Sequence, residues 1–248
     1  ATRRRRRRRA AIFGGAPGVG VELGVRVLHH CFPRGSLLLR RLRHGVSRPP
    51  LQHWEATPST PPSLRYALLK ANVDEMELVQ LGLTLFDAFG HLPDIGTGGR
   101  VGYVWEFNFR EFDVRRDPHA PDSIDLLRSS GIDFDRLPRF GIDSGDFAAL
   151  LCRSGLVAHC RFCRPLSARW IAFHGCYDFA YLIKVLGNGT PLPDTLEEFL
   201  GLVNLLFGET VDLKYMMFGC EGLSGGLESV ASTLGATPSW EVASSWLR

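Results

Sequence analysis

Chemistry in this chain would have to come from a few histidine, cysteine and acidic positions. His159-Cys160-Arg161-Phe162-Cys163 holds a Cys-x-x-Cys with an adjacent histidine. A structural zinc site needs four such ligands, and no second cysteine pair lies nearby in sequence, so residues 158–167 read as a surface insertion. His29 and Cys31 sit two residues apart on what continues a strand pattern. They would point the same way and have the nitrogen and sulfur character that suits a softer metal such as zinc. Gly14-Gly15-Ala16-Pro17-Gly18-Val19-Gly20 is glycine-rich, but the Lys-Ser/Thr that completes a phosphate loop is missing. Asp178 precedes an apolar helical stretch and, from its position alone, reads as a helix cap.

The elements that must position these residues divide the chain unevenly. Residues 1–64 carry 13 arginines against Glu22 and Glu55, a charge of +11, while the remainder carries 16 basic and 24 acidic groups. Arg3 to Arg9 is an unbroken run, too repulsive to pack and therefore solvated. It reads as a nuclear-localisation or RNA-contacting arm, an organellar transit segment, or arginine-biased coding text with no evolved role. Residues 1–63 are expected to be largely disordered, with one possible strand at 19–28, where Val19, Val21, Leu23, Val25 and Val27 alternate. Residues 64–248 read as the folded domain.

Within that domain the apolar spacing predicts helices over 64–79, 123–129, 146–153, 179–186, 196–206 and 226–234. Strands are expected at 81–86, 103–109, 170–173 and 211–213. Asp194 and Thr195 are candidate caps for the helix that starts at Leu196. Paired strands followed by alternating strands and helices predict an α/β fold on a mixed sheet. Hydrophobic residues make up 45% of the chain, and no apolar run of 18 residues occurs, so no membrane partner is expected. Six cysteines in 248 residues do not form a disulfide pattern and favour a reducing compartment.

Seven phrases, in order, resemble one enzyme family. They are Leu69-Lys70-Ala71-Asn72-Val73-Asp74, Val79-Gln80-Leu81-Gly82-Leu83-Thr84, Trp105-Glu106-Phe107-Asn108-Phe109, and Asp122 to Leu127 with Ser130 to Phe134. The rest are Phe173-His174-Gly175-Cys176-Tyr177-Asp178-Phe179, Val211-Asp212-Leu213-Lys214-Tyr215-Met216, and Gly225-Gly226-Leu227. Together they resemble the CCR-associated-factor (Caf/Pop-type) family of poly(A)-specific 3′-exoribonucleases, the deadenylase subunits of the CCR–NOT complex.

The resemblance implies a ribonuclease-H-like mixed sheet with helices on both faces. It also implies two divalent metals, Mg²⁺ or Mn²⁺, held by four carboxylates. Such metals lower the pKa of an attacking water and stabilise the leaving oxygen. Poly(A) RNA, the CCR–NOT scaffold and a companion deadenylase are the partners it implies, with action in nucleus and cytoplasm.

Carried over residue by residue, the family's metal site is mostly absent. Asp178 matches one metal-binding aspartate. No Asp-x-Glu, the first motif, occurs anywhere in the chain, and residues 236–248 hold neither histidine nor aspartate for the third. Aligning Phe32-Pro33 with the family's Phe-Pro puts His29 and Cys31 where the first Asp and Glu belong, although Phe-Pro is a common dipeptide and the match is most simply accidental. Asp212 lies in a family phrase but outside the family's metal site, so a capping or hydrogen-bonding role is expected.

These losses predict a fold incomplete at the first strand and the C-terminus, with an impaired site. Alternative readings are a non-catalytic scaffold-binding paralogue and a degenerate or mis-assembled gene product. Val19 to Val27 is the one candidate to replace the missing strand, although Glu22 and Arg26 suit a doubly buried strand badly.

Overall fold

The structure, a computed structural model, describes residues 21–28, 60–87, 89–92, 105–119, 121–158 and 168–236, with backbone alone at 21–28, 121–122 and 168. The expected disorder of residues 1–20 and 29–59, the Cys160–Cys163 pair, His29 and Cys31 all lie outside the described residues.

Five strands form one mixed sheet: β1 (Val21–Leu28), β2 (Gln80–Asp87), β3 (Trp105–Asn108), β4 (Ala168–Ala172) and β5 (Thr210–Asp212), in the order β3-β2-β1-β4-β5. The expected gap at the first strand is therefore filled. β1 is central, antiparallel to β2 over eight pairs from Val21↔Asp87 to Leu28↔Gln80, and parallel to β4 from Val21↔Ala168 to Gly24↔Ile171.

Register explains how a strand with two charges serves there. Glu22 falls opposite Phe86 and Arg169, and Arg26 opposite Gly82, which itself pairs Glu106. Glu106 and Arg169 are exposed, so the rungs that hold Glu22 and Arg26 each carry an exposed charged neighbour. The other row carries buried Leu81, Leu83, Leu85 and Trp170, and Leu23, Val25 and Val27 fall in register with it. Alternation suits a strand whose two rows meet different surroundings, where a strand buried on both faces would want a continuous apolar run.

Eight helices complete the described residues: α1 (Pro62–Glu75), α2 (Pro121–Ser129), α3 (Leu137–Phe140), α4 (Ser144–Ser154), α5 (Cys176–Leu186), α6 (Leu196–Phe207), α7 (Leu213–Met216) and α8 (Leu227–Thr233). α1 begins two residues before the expected boundary, because Pro62 needs no N–H partner at a helix start. It ends before Val79, since Met76 is already extended. α4 is stopped by Gly155 in the left-handed region, φ 77°. α6 carries a complete capping box between Thr195 and Glu198. None of the described helices is long and apolar enough to cross a membrane.

The main core joins β2 and β4 to α1, α4, α5 and α6. α5 lies at its centre, buried continuously from Asp178 to Val185. Trp170, Phe179 and Phe207 pack edge-to-face or tilted, with centroids 5.0–6.5 Å apart. Lys184 is buried yet satisfied: its Nζ donates to the Met76 carbonyl at 3.1 Å and pairs with Glu77, pinning α5 to the end of α1. A smaller core of Val79, Phe112, Ile124, Leu127, Ile132, Phe134 and Leu137 holds α2 and α3.

Candidate metal centre

Parallel strands β1, β4 and β5 run toward one end of the sheet, and the candidate residues gather there. β4 ends at Ala172, the chain turns through Phe173, His174 and Gly175, and α5 starts at Cys176. Asp178, the third residue of α5, is 4% exposed. Its carboxylate thus sits in the first helical turn, where the unpaired N–H groups favour negative charge.

The turn itself is strained and tightly held. His174 adopts φ 63°, a conformation uncommon for a residue with a Cβ. Asp212, the last residue of β5, holds it: Oδ1 accepts from the His174 N–H at 2.9 Å and Oδ2 from the Gly175 N–H at 3.0 Å. Oδ1 also accepts from the Lys214 N–H at 2.8 Å and so caps α7. The capping role read from sequence is correct, and its extension to the neighbouring strand's turn is what the structure adds. Gly175 must be glycine, since a Cβ there would stand 2.4 Å from the Ala172 Cβ and 3.5 Å from Asp178 Oδ2. Asp178 is thus packed over a bare backbone.

His174 is exposed, and Cys176 is exposed as a residue although its thiol is desolvated. That burial, followed by the Asp178 and Asp212 carboxylates, pushes the Cys176 thiol up to about 11. At neutral pH it is a protonated thiol, unsuited to act as nucleophile or thiolate ligand. Burial likewise raises the Tyr177 hydroxyl, which accepts from Asn72 Nδ2 at 3.2 Å and ties α1 to α5.

Two divalent cations a few ångströms apart need several acidic oxygens around them. Among the described residues, no group of three or more His, Cys, Asp or Glu is arranged to hold a metal ion. Asp212 is near, but its two oxygens are committed to three backbone N–H groups. The described donor set therefore does not fit a two-metal centre. His29 follows Leu28, the last residue of β1, which runs toward the same end of the sheet.

No protein-family profile matches the chain. It is 44% identical over 169 residues to the probable CCR4-associated factor 1 homolog 7 of Arabidopsis thaliana, covering 68% of this chain and 58% of that protein. It is 40% identical over 169 residues to the poly(A) ribonuclease pop2 of Schizosaccharomyces pombe, covering 68% of this chain and 46% of that one. The chain thus spans only about half the length of these curated relatives.

Among solved structures, the Mg²⁺- and Mn²⁺-bound form of S. pombe Pop2p superposes with a TM-score of 0.65 at 33% identity, covering 87% of this chain and 73% of that one. A structure of the yeast NOT1 MIF4G domain co-crystallized with CAF1 matches with a TM-score of 0.58 at 28% identity, covering 88% and 69%. The strand order around β1, the Asp178 turn and these likenesses agree on a ribonuclease-H-like fold, and the chain belongs to the CCR4-associated factor 1/Pop2 family of poly(A) ribonucleases.

Proposed function

We propose that this chain is a non-catalytic, or nearly inactive, member of the deadenylase family that retains docking on the CCR–NOT scaffold. The family reaction removes 3′-terminal adenylates from poly(A) as 5′-AMP and uses Mg²⁺ or Mn²⁺. The observation that carries the reading is that Asp178 stands in a turn built to the family pattern while the sequence contains no Asp-x-Glu. A lone carboxylate cannot hold two dications against their mutual repulsion. The turn is ordered, with Asp212 accepting from the His174 and Gly175 N–H groups, which supports a protein that has the family's architecture at this point.

Likeness to a CAF1 structure containing the NOT1 MIF4G domain supports the scaffold as partner. On this reading the protein competes with active subunits for the scaffold in nucleus and cytoplasm. The test is twofold. In a poly(A)-shortening assay with Mg²⁺ or Mn²⁺, release of 5′-AMP should stay at background, while immobilised MIF4G domain should capture the chain. Metal-dependent shortening that Asp178→Ala abolishes would sink the claim of inactivity, and failure of capture would sink the claim of docking.

A further inference from the structure

α3 is a single turn that displays one large aromatic residue to solvent on a rigid mount. Leu137 at its start is fully buried in the smaller core. Gly141 at its end lies against the last residues of the β3 edge, where a Cβ would meet the Leu137 carbonyl at 2.6 Å and the Arg110 and Phe109 backbones at 2.7 Å. Beyond it, the Ile142 N–H donates to the Asn108 carbonyl at 2.8 Å and the Arg110 N–H to the Ile142 carbonyl at 3.1 Å. Between these two anchors Phe140 is 62% exposed.

Two guanidinium groups lie near that ring. Arg136 lies 4.9 Å and Arg139 5.7 Å from its centroid. The carboxylates nearby are engaged elsewhere: Asp143 with Arg110 and the Asp146 N–H, Asp135 with Arg115, and Asp133 with the backbone N–H groups of Asp135 and Arg136. Among the described residues, Arg139 has no ion pair. An aromatic face and guanidinium planes held together match the two halves of a nucleotide: a base stacks on the flat groups and a phosphate pairs with the charge.

We infer that Arg136, Arg139 and Phe140 form a stacking platform for single-stranded RNA. The topology puts it at the same end of the sheet as Asp178. β3 runs parallel to β1 and β4, and Asn108 aligns through Gln80 with Leu28, four residues beyond Gly24, the partner of Ile171. At about 3.3 Å per residue and about 4.8 Å per strand, the β3 end stands roughly 13 Å further along and roughly 14 Å to the side of Ile171. One strand of RNA lying along this end reaches both places. The choice of RNA over DNA rests on the family reading; the platform does not depend on cleavage.

The test uses the full chain and a labelled oligo(A) of about ten nucleotides, within the usual site sizes for single strands. Phe140→Ala should weaken binding about tenfold, the lower range for loss of one stacked base. Phe140→Trp should keep or improve it. Arg139→Gln should lower the salt dependence by about 0.7 in log–log slope, the share of one phosphate. Ultraviolet cross-linking with mass spectrometry should place an adduct on the peptide bearing Phe140. Unchanged affinity in Phe140→Ala, with adducts confined to the arginine tract, overturns the platform. An unchanged melting temperature of Phe140→Ala shows that its weakened binding is not unfolding, and its capture by the MIF4G domain reports on the family reading separately.

Discussion

Asp212→Ala removes the acceptor of three backbone N–H groups at once: His174 at 2.9 Å, Gly175 at 3.0 Å and Lys214 at 2.8 Å. A hydrogen bond to a charged acceptor contributes about 1.5–3 kcal/mol when well shielded, and less when water can replace it. Asp212 is half-buried, so about 1 kcal/mol per bond is appropriate, giving roughly 3 kcal/mol. The loss also frees His174, held at φ 63°, to leave a conformation that costs about 1 kcal/mol or more. For a body of this size, roughly 3 kcal/mol lowers the melting temperature by about 6–12 °C.

Asp212→Asn separates geometry from charge. Oδ1 can keep its bonds to His174 and Lys214, but an amide NH₂ in place of Oδ2 faces the Gly175 N–H donor to donor. That variant should lose about 1–2 kcal/mol. Thermal unfolding followed by circular dichroism measures both. If Asp212→Ala melts within about 1 °C of wild type, the turn does not depend on Asp212, and the account of how Asp178 is positioned fails.

Three further outcomes follow from the packing. Gly141→Ala should destabilise by about 2 kcal/mol or more in urea unfolding, because the new Cβ meets backbone atoms that cannot yield. Thr195→Ala should cost about 1 kcal/mol through loss of the capping box at α6, while Thr195→Ser should cost little. Burial, with Asp74, Asp194 and Glu198 adding to it, raises the Tyr66 hydroxyl to about 12, and its proton is donated to the Pro193 carbonyl at 2.6 Å. A phenol whose folded value is raised stabilises fully below its unfolded value near 10, and that contribution fades as pH rises toward 12. Tyr66→Phe should therefore flatten the alkaline limb of stability between about pH 10 and 12, and an unaltered limb would contradict the assignment.

Much of the architecture was legible because its periodicities are strong. The caps at Thr195 and Gly155 and the apolar stretch from Phe179 to Leu186 mark α4, α5 and α6 in the sequence itself. β1 was harder. Its Val21–Val27 alternation is visible, but Glu22 and Arg26 argue against a central place, and only register shows them on rungs with the exposed Arg169 and Glu106. Which face of a sheet meets water is a tertiary property that no single strand encodes.

At the site, Asp178 could be found from the phrase around it. Asp212's hold on His174 and Gly175 spans 38 and 37 residues and leaves no local trace. Phe140 was missed for a different reason: a lone phenylalanine near a proline reads as core, and only the burial of Leu137 and the contact at Gly141 turn it outward.

Central here is that no Asp-x-Glu in this sequence supplies the further carboxylates that a two-metal centre requires beside Asp178. Titration of the full chain with Mn²⁺, followed by calorimetry and by the electron paramagnetic resonance of the bound ion, tests it most directly. The account predicts weak, non-stoichiometric binding, with no spin coupling between ions and no change in Asp178→Ala. Two coupled Mn²⁺ ions per chain, lost together in Asp178→Ala, would contradict it.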